Sequence, residues 1–175
     1  MAPPDERVPG PDERLLGLAD RAELTQLVSR FVTGLDHPDA QGCDETWYRA
    51  LCAEDVALVL PNGTHHGIVG LPQFQSRSRR QFAHTHHLVT NCLVELGGDR
   101  ATARANVRAT HVRHGDGTVP TFVGGALYDV EAVRTADGWR LSRLTVTVRW
   151  TTGGPRRLPG VPLAAPGRRG VPPCP

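Results

Sequence analysis

The chain contains no lysine, because all 20 of its basic residues are arginine. A Schiff base with a carbonyl substrate, the covalent attachment of pyridoxal phosphate and the phosphate-binding P-loop each require a lysine ammonium group. The absence of lysine therefore excludes these three chemistries. The ionisable candidates that remain include 18 acidic residues and 8 histidines.

Cysteine and long apolar runs are also scarce. The four cysteines show no C-x-x-C spacing, and scattered thiols are more typical of a reducing compartment than of a disulfide framework or a zinc site. No apolar run approaches the length of a membrane span, and the first residues lack the basic-then-apolar pattern of a signal peptide. We therefore expect a cytoplasmic protein without a membrane partner.

The charge balance gives no indication of a nucleic-acid partner, because the formal net charge is only +2. One basic cluster is present, formed by Arg77, Arg79 and Arg80. No aromatic residues are interleaved with it, so it is predicted to be a solvated helix face and not a phosphate-binding groove.

Both ends of the chain lack apolar periodicity. Residues 1–14 and 152–175 are rich in proline, glycine and charge, a composition that is typical of disorder. Residues 15–151 are then expected to form a single folded domain. This length is sufficient for one hydrophobic core without disulfides or a structural metal.

Helical periodicity comes first along the chain and strand alternation follows. An amphipathic helix is predicted over residues 20–35, directly before Asp36. Shorter helices are predicted over 43–53 and 71–82. Strands are predicted over 55–60, 85–96, 100–114, 119–134 and 138–150. This order predicts an α+β fold in which a curved antiparallel sheet wraps over about three N-terminal helices.

Alternation within the strands assigns faces to some of the histidines. Along residues 100–114, His111 shares a face with alanines and Val107, so its side chain is predicted to be buried. His114 falls on the opposite, polar face. Along residues 85–96, His86 and His87 fall on opposite faces, and alternation alone does not decide which of them points inward.

An ordered series of motifs resembles the NTF2-like superfamily, in particular its SnoaL-like and scytalone-dehydratase-like branch. The resemblance covers residues 15–151. No single motif is specific, but the order is typical of the fold. The motifs are Leu35-Asp36-His37-Pro38-Asp39, Ala53-Glu54-Asp55-Val56, His87-Leu88-Val89-Thr90-Asn91, His111, Ala126-Leu127-Tyr128-Asp129, Asp137-Gly138-Trp139-Arg140-Leu141 and Arg149-Trp150.

The resemblance implies a cone-shaped fold around an apolar pocket, into which Asp36, His87 and His111 point as catalytic residues. The resemblance thereby favours His87 over His86 as the histidine of β-strand 85–96 that points into the pocket. Dehydratases of this branch carry out acid–base chemistry without a metal or an organic cofactor, and SnoaL-like relatives close polyketide rings at a similar site. The expected substrate-binding residues are Tyr128, Asn91, Tyr48, Trp47 and Phe31.

The chain also departs from the dehydratases that it resembles. Those enzymes use two tyrosines to hold a water against the substrate carbonyl, and leucines at 35 and 60 stand near these positions. Scytalone dehydratase activity itself is therefore not expected. Tyr128 lies close to the place where the dehydratases have an amide, so it is a candidate to bind the substrate with its phenol.

We therefore expect a cofactor-independent dehydratase, cyclase or isomerase that acts on an apolar, carbonyl-bearing, polyketide-like intermediate. His87 is the predicted general base, and Asp36 and His111 are predicted to position and support it. Two alternatives stay open, namely a non-catalytic ligand-binding or scaffold domain and a subunit resembling the β chain of ring-hydroxylating dioxygenases. The family also leads us to expect a homodimer.

A metal site is the least favoured interpretation of the remaining histidines. His65 and His66 follow a Pro-Asn-Gly turn and are predicted to lie exposed in a loop. His84 and His86 belong to an alternating strand. Strand geometry divides these side chains between faces, whereas a metal needs its ligands on one side.

Overall fold

The computed structural model describes residues 10–36, 43–114 and 122–153. The sheet order is β2-β1-β6-β5-β4-β3, and neighbours are antiparallel except β1 and β6, which are parallel. The sheet is curved and does not close into a barrel, so the predicted α+β fold is confirmed. The elements are α1 (Pro11–Gly34), α2 (Glu45–Leu51), β1 (Cys52–Leu60), β2 (Gly63–His66), α3 (Leu71–Arg79), β3 (Phe82–Gly97), β4 (Arg100–Arg113), β5 (Phe122–Thr135) and β6 (Gly138–Gly153).

Helix α1 begins at Pro11, nine residues before the start that its apolar periodicity predicts. Its first turn therefore belongs to the range 1–14 that was predicted as a tail, while residues 1–9 and 154–175 lie outside the described residues. Proline at the first helical position and acidic residues in the first turn favour a helix start. The Gly10 N–H also donates to Glu13 Oε2 at 2.8 Å. These local signals do not depend on packing, and Leu15, Leu16 and Leu18 stay exposed.

The second half of α1 carries the predicted apolar stripe and packs in the core. Its position against the β5–β6 hairpin is fixed by Trp139, which is 1% exposed. The Trp139 backbone N–H donates to Glu23 at 2.9 Å, and its indole N–H donates to Asp20 at 3.0 Å. The buried residues of the stripe are Leu24, Leu27, Val28, Phe31 and Val32. None of the helices in the described parts of the chain is both long and apolar enough to cross a membrane.

The two short helices are shorter than their predicted ranges. Helix α2 begins after Asp44, whose carboxylate accepts the Trp47 backbone N–H at 2.8 Å as an N-terminal cap. Helix α3 ends at Arg79 and not at residue 82. Phe82 instead opens β3, where it pairs with Arg113 of β4, so pairing in the sheet overrides the helical spacing of Phe74 and Phe82.

Strand β2 occupies the segment that was predicted as a loop. His65 lies opposite Leu58 of β1, and the hairpin turns at residues 61–62. Gly63 directly after the turn has a φ of 143°, which is accessible to glycine. Four residues are too few to show an alternating pattern, which explains why the strand was not predicted. The His65 ring stacks on Phe74, and its Nε2 atom lies 3.0 Å from the Val69 carbonyl oxygen.

Strand β3 contains a β-bulge that reverses its alternation. Thr90 pairs with Asn106 and Leu93 pairs with Arg104, so β3 has one residue more than β4 between these pairs. The bulge includes Asn91, whose φ is 52°. Before the bulge, the inward side chains are those of His87 and of the residues two positions before and after it. After it, Leu93 is 70% exposed while the next residue is buried.

Gly34 is predicted to be a point where a single methyl group disturbs the packing. A Cβ atom there would overlap Trp47 Cζ2, so the indole would have to move. We expect Gly34→Ala to lower the free energy of unfolding by about 1–3 kcal/mol through overpacking. Urea denaturation followed by circular dichroism measures this change.

Gly17→Ala in the same helix is the matched control. The nearest heavy atom to its Cβ would be Leu96 Cδ1 at 3.9 Å, which is ordinary contact. The higher helix propensity of alanine should therefore raise the free energy of unfolding by about 0.5–1 kcal/mol. Equal effects of the two substitutions would contradict the packing interpretation.

Candidate active site

Asp36 lies directly beyond α1, and its carboxylate connects the end of this helix to β3. Oδ1 lies 2.6 Å from Nδ1 of His87, and Oδ2 accepts the His87 backbone N–H at 2.7 Å. The Thr85 hydroxyl lies 3.0 Å from Asp36 Oδ1 and 3.2 Å from the Leu35 carbonyl oxygen. One carboxylate therefore fixes both the backbone and the imidazole of His87.

The environment of Asp36 favours its ionised form. Burial raises the pKa of the carboxyl group, but the hydrogen bonds from the His87 ring, the His87 backbone and Thr85 together hold the pKa below its usual value. An ionised carboxylate only accepts hydrogen bonds, so Nδ1 of His87 carries the proton in the bond between them. Nε2 of His87 is then the ring nitrogen that remains for a substrate.

His87 lines a cavity of about 380 Å³ between the helices and the curved sheet, which we call the inner cavity. Its side chain is 9% exposed, against 19% for Asp36. Asp36 is not among the residues that line the inner cavity. The wall is mostly apolar, and the carboxylate lies behind the imidazole and acts on the cavity through it. The polar residues that line the inner cavity are Asn62, Gln75, Arg79, Gln81, Thr85, His87, His111 and Tyr128.

His111 reaches the inner cavity from β4, as its alternation predicts. Its ring packs against both Phe82 and Phe122, with centroid distances of 4.5 and 4.6 Å. It meets the His87 ring edge-on at 5.7 Å. Nδ1 of His111 is buried and makes no hydrogen bond of standard geometry within the described residues.

These surroundings keep His111 neutral near pH 7. Burial first, and then the neighbouring His87, lower its pKa to about 4. The charge of Asp36 and the backbone of Phe122 act in the opposite direction but offset the decrease only in part. A neutral imidazole can donate one hydrogen bond to a substrate oxygen without carrying a charge into the apolar cavity.

Tyr128 also lines the inner cavity, from β5. Its side chain is 7% exposed. Burial, assisted by the charge of Asp36, raises the pKa of its hydroxyl to about 12. The phenol therefore stays protonated near neutral pH and can act as a second hydrogen-bond donor.

The structure does not bring all of the predicted substrate-binding residues to this cavity. Phe31 lines it together with Tyr128, but Asn91 is exposed because the bulge in β3 removes it from the inward register. Trp47 packs against Gly34 and Phe31 without lining the cavity. Tyr48 is fully buried and lines a second, adjoining cavity. Of the five predicted substrate-binding residues, Phe31 and Tyr128 line the inner cavity, whereas Asn91, Trp47 and Tyr48 do not. Their role in substrate binding stays a prediction.

Two further residues of the candidate site were not predicted. Thr85 lies two positions before His87 on the inward face of β3, and its hydroxyl forms a hydrogen bond with Asp36. Arg79 lines the inner cavity and is partly buried, so the predicted solvated face holds only for Arg77 and Arg80, which are exposed. The spacing of Arg79 from the fully buried Leu71, eight residues earlier on α3, is the signal that could have identified it.

No group of three or more histidine, cysteine, aspartate or glutamate side chains within residues 10–36, 43–114 and 122–153 is arranged to hold a metal ion. The histidines considered for such a site lie far apart in the sheet order. His65 and His66 belong to β2 at one edge, and His84 and His86 are exposed on β3 at the other.

The lowered pKa of His111 predicts a pH-dependent stability. The folded-state value of about 4 lies below the usual 6.5, so the unfolded chain binds a proton more tightly. The contribution of His111 is complete above about pH 6.5 and is lost as the pH falls toward 4. Titration of His111 should therefore lower the free energy of unfolding by at most about 1.4 kcal/mol for each pH unit in that interval. Urea denaturation at several pH values measures this slope.

His111→Gln should reduce this slope, because glutamine does not titrate. His86→Gln is the matched control, since His86 is exposed on the neighbouring strand, and it should keep the slope. If the slope were the same in wild type and His111→Gln, burial of neutral His111 would not be its cause.

Comparison with known proteins supports the resemblance seen in the motifs. Residues 17–145 match the SnoaL-like domain family. The Kfla4162 protein of Kribbella flavida is 29% identical, with a TM-score of 0.68 over 78% of this chain and 95% of that chain. Two more solved structures share the fold, and each alignment covers 89% of this chain and 99% of the other. One is a type 2 hexachlorocyclohexane dehydrochlorinase (LinA), with 22% identity and a TM-score of 0.69. The other is a putative scytalone dehydratase of Novosphingobium aromaticivorans, with 18% identity and a TM-score of 0.68. The chain therefore belongs to the SnoaL-like domain family.

Proposed function

We propose that the protein is a cofactor-independent lyase or isomerase that removes a proton next to the carbonyl group of an apolar, polyketide-like small molecule. The observation that carries this proposal is the 2.6 Å hydrogen bond between Asp36 and His87 at the wall of the inner cavity. It orients one imidazole nitrogen toward bound substrate and places a negative charge behind the ring. Both are properties of a general base.

The reaction begins at Nε2 of His87. This atom takes a proton from the carbon next to the carbonyl, the C–H electron pair forms a carbon–carbon double bond, and the carbonyl oxygen becomes an enolate oxygen. The His87 imidazolium that results is stabilised by Asp36. The neutral ring of His111 or the phenol of Tyr128 donates a hydrogen bond to the enolate oxygen, which carries the developing charge.

Three outcomes follow from the same enolate. Loss of a leaving group from the β-carbon completes an elimination, return of the proton at another carbon completes an isomerisation, and attack on a second carbonyl closes a ring. Two of the neighbouring structures are named as a dehydrochlorinase and a putative dehydratase. These names favour elimination among the three outcomes.

The walls of the inner cavity support an apolar substrate. Aliphatic and aromatic side chains form most of its lining. An apolar site excludes water from the enolate and strengthens the hydrogen bonds that stabilise it. The apolar residues include Phe31, Leu35, Leu60, Val107, Leu144, Val146 and Val148.

The proposed function predicts that the protein exchanges protons of a ketone with solvent. A panel of 1-tetralone, 2-tetralone and anthrone derivatives would be incubated with the protein in D₂O, and deuterium incorporation next to the carbonyl would be followed by NMR. We expect exchange of at least one compound. Asp36→Asn should slow it by about 100- to 10,000-fold, because the general base loses its orientation and charge support.

Asp129→Asn is the matched control, because Asp129 forms an exposed ion pair with Arg104 and does not line the inner cavity. It should leave the exchange rate unchanged. Binding of panel members without exchange in the wild type would contradict the proposal and favour a non-catalytic ligand-binding domain.

A further inference from the structure

Inward side chains on neighbouring strands of the sheet lie side by side in rows, and the polar groups of the inner cavity belong to different rows. His87 pairs with Ala109 of β4, and Ala109 pairs with Gly124 of β5, so these three residues share one row. His111 lies two residues beyond this row on β4, and Tyr128 lies four residues beyond it on β5. Because β4 and β5 are antiparallel, these displacements have opposite directions. The row of His87 therefore lies between those of His111 and Tyr128.

The rows of His111 and Tyr128 are six residues apart along the strands, because Tyr128 pairs with Ala105. At a rise of about 3.3 Å per residue this is about 20 Å along the sheet, a distance that the curvature and the lengths of the side chains reduce. A single oxygen accepts from two donors only if they lie within about 6 Å of each other. The ring of His111 lies 5.7 Å from that of His87 between centroids, so a carbonyl oxygen beside His87 is nearer to His111. Tyr128 is then left for a different acceptor.

The cavity wall between His87 and Tyr128 is apolar. One row of inward side chains separates them, formed by Val107, Ala126 and Val148, which pair across β4, β5 and β6 and line the inner cavity. A molecule that extends from His87 to Tyr128 crosses this row. Its middle part is therefore expected to be apolar, with polar groups at the two ends.

The surroundings of Tyr128 leave its hydroxyl available to a ligand. Tyr128 is 7% exposed, and no hydrogen bond between its hydroxyl and a described residue is found. Its neighbours in the row, Ala105 and Val146, have no polar side-chain atoms. The hydroxyl is also not one of the unpaired polar atoms that the described residues seal completely from solvent, so a molecule in the inner cavity can reach it. A buried donor without an acceptor is unfavourable, and a ligand oxygen would satisfy it.

We infer that the substrate carries two oxygen functions at opposite ends of an apolar body. The carbonyl group that reacts lies beside His87 and His111, and the second oxygen accepts a hydrogen bond from the phenol of Tyr128. This inference rests on the proposed function and narrows its substrate class to ketones with a remote hydrogen-bond acceptor. The acceptor is neutral, because the apolar neighbours of Tyr128 offer no compensation for a charge.

The test compares pairs of compounds that have the same shape and differ in one acceptor. 1-Tetralones with a methoxy group at each aromatic ring position are compared with the matching ethyl compounds, for binding by calorimetry and for deuterium exchange by NMR. The methoxy oxygen accepts a hydrogen bond, whereas the methylene group that replaces it does not. For at least one position remote from the carbonyl, the ratio of methoxy to ethyl affinity should be about 3- to 30-fold higher in the wild type than in Tyr128→Phe. At the ring position nearest the carbonyl the ratio should be the same in both proteins.

Three variants assign the selectivity to the phenol. Tyr128→Phe keeps the buried ring and removes only the hydroxyl. Thr147→Val is the matched control, because it removes an exposed hydroxyl from the opposite face of β6, between Val146 and Val148, and it should keep the wild-type ratio. His111→Gln should slow the exchange of both members of a pair and also keep the ratio, because the second oxygen does not contact His111.

The outcomes separate this inference from the function on which it rests. A ratio that depends on Tyr128, without deuterium exchange, would support the second binding position and contradict the proposed catalysis. Exchange with the same ratio in wild type and Tyr128→Phe at every ring position would support the catalysis and overturn the second binding position. No binding of any pair, or loss of the ratio in Thr147→Val or His111→Gln, would overturn it as well.

Discussion

The hydrogen bond between Asp36 and His87 connects the end of α1 to β3, and it does so where His87 lines the inner cavity. A carboxylate at the C-terminal end of a helix is electrostatically unfavourable. The pKa of the Asp36 carboxyl group is nevertheless below its usual value, because His87 and Thr85 form hydrogen bonds with the carboxylate. The end of α1 also depends on Gly34, which lets the Trp47 indole pack close to the helix backbone. The geometry of the site is thus a consequence of how α1 ends.

The site combines groups whose protonation states are set by their surroundings. Asp36 is kept ionised by hydrogen bonds, whereas His111 is kept neutral by burial against Phe82 and Phe122. Burial also keeps Tyr128 protonated. A base oriented by a carboxylate and donors that carry no charge are suited to forming and stabilising an enolate in an apolar cavity.

The sequence predicted the parts of the site that follow regular alternation. His111 lies inward because β4 alternates without interruption, but alternation did not choose between His86 and His87, and only the family resemblance favoured the correct one. Asn91 was misplaced because a bulge reverses the register of β3, and nothing in the local pattern marks it. Arg79 was misplaced because the orientation of a short, mostly polar helix depends on tertiary packing. The adjoining cavity that Tyr48 lines also depends on how separate elements meet.

The protonation of the His87 ring tests the central claim most directly. Nitrogen-15 NMR of the ligand-free protein, in the pH range where the ring is neutral, reports which ring nitrogen carries the proton. The bond to Asp36 predicts that Nδ1 is protonated and that Nε2 is the basic nitrogen, and that Asp36→Asn weakens this preference. If Nε2 carried the proton in the wild type, His87 would have no lone pair directed into the inner cavity, and its role as the general base would be contradicted.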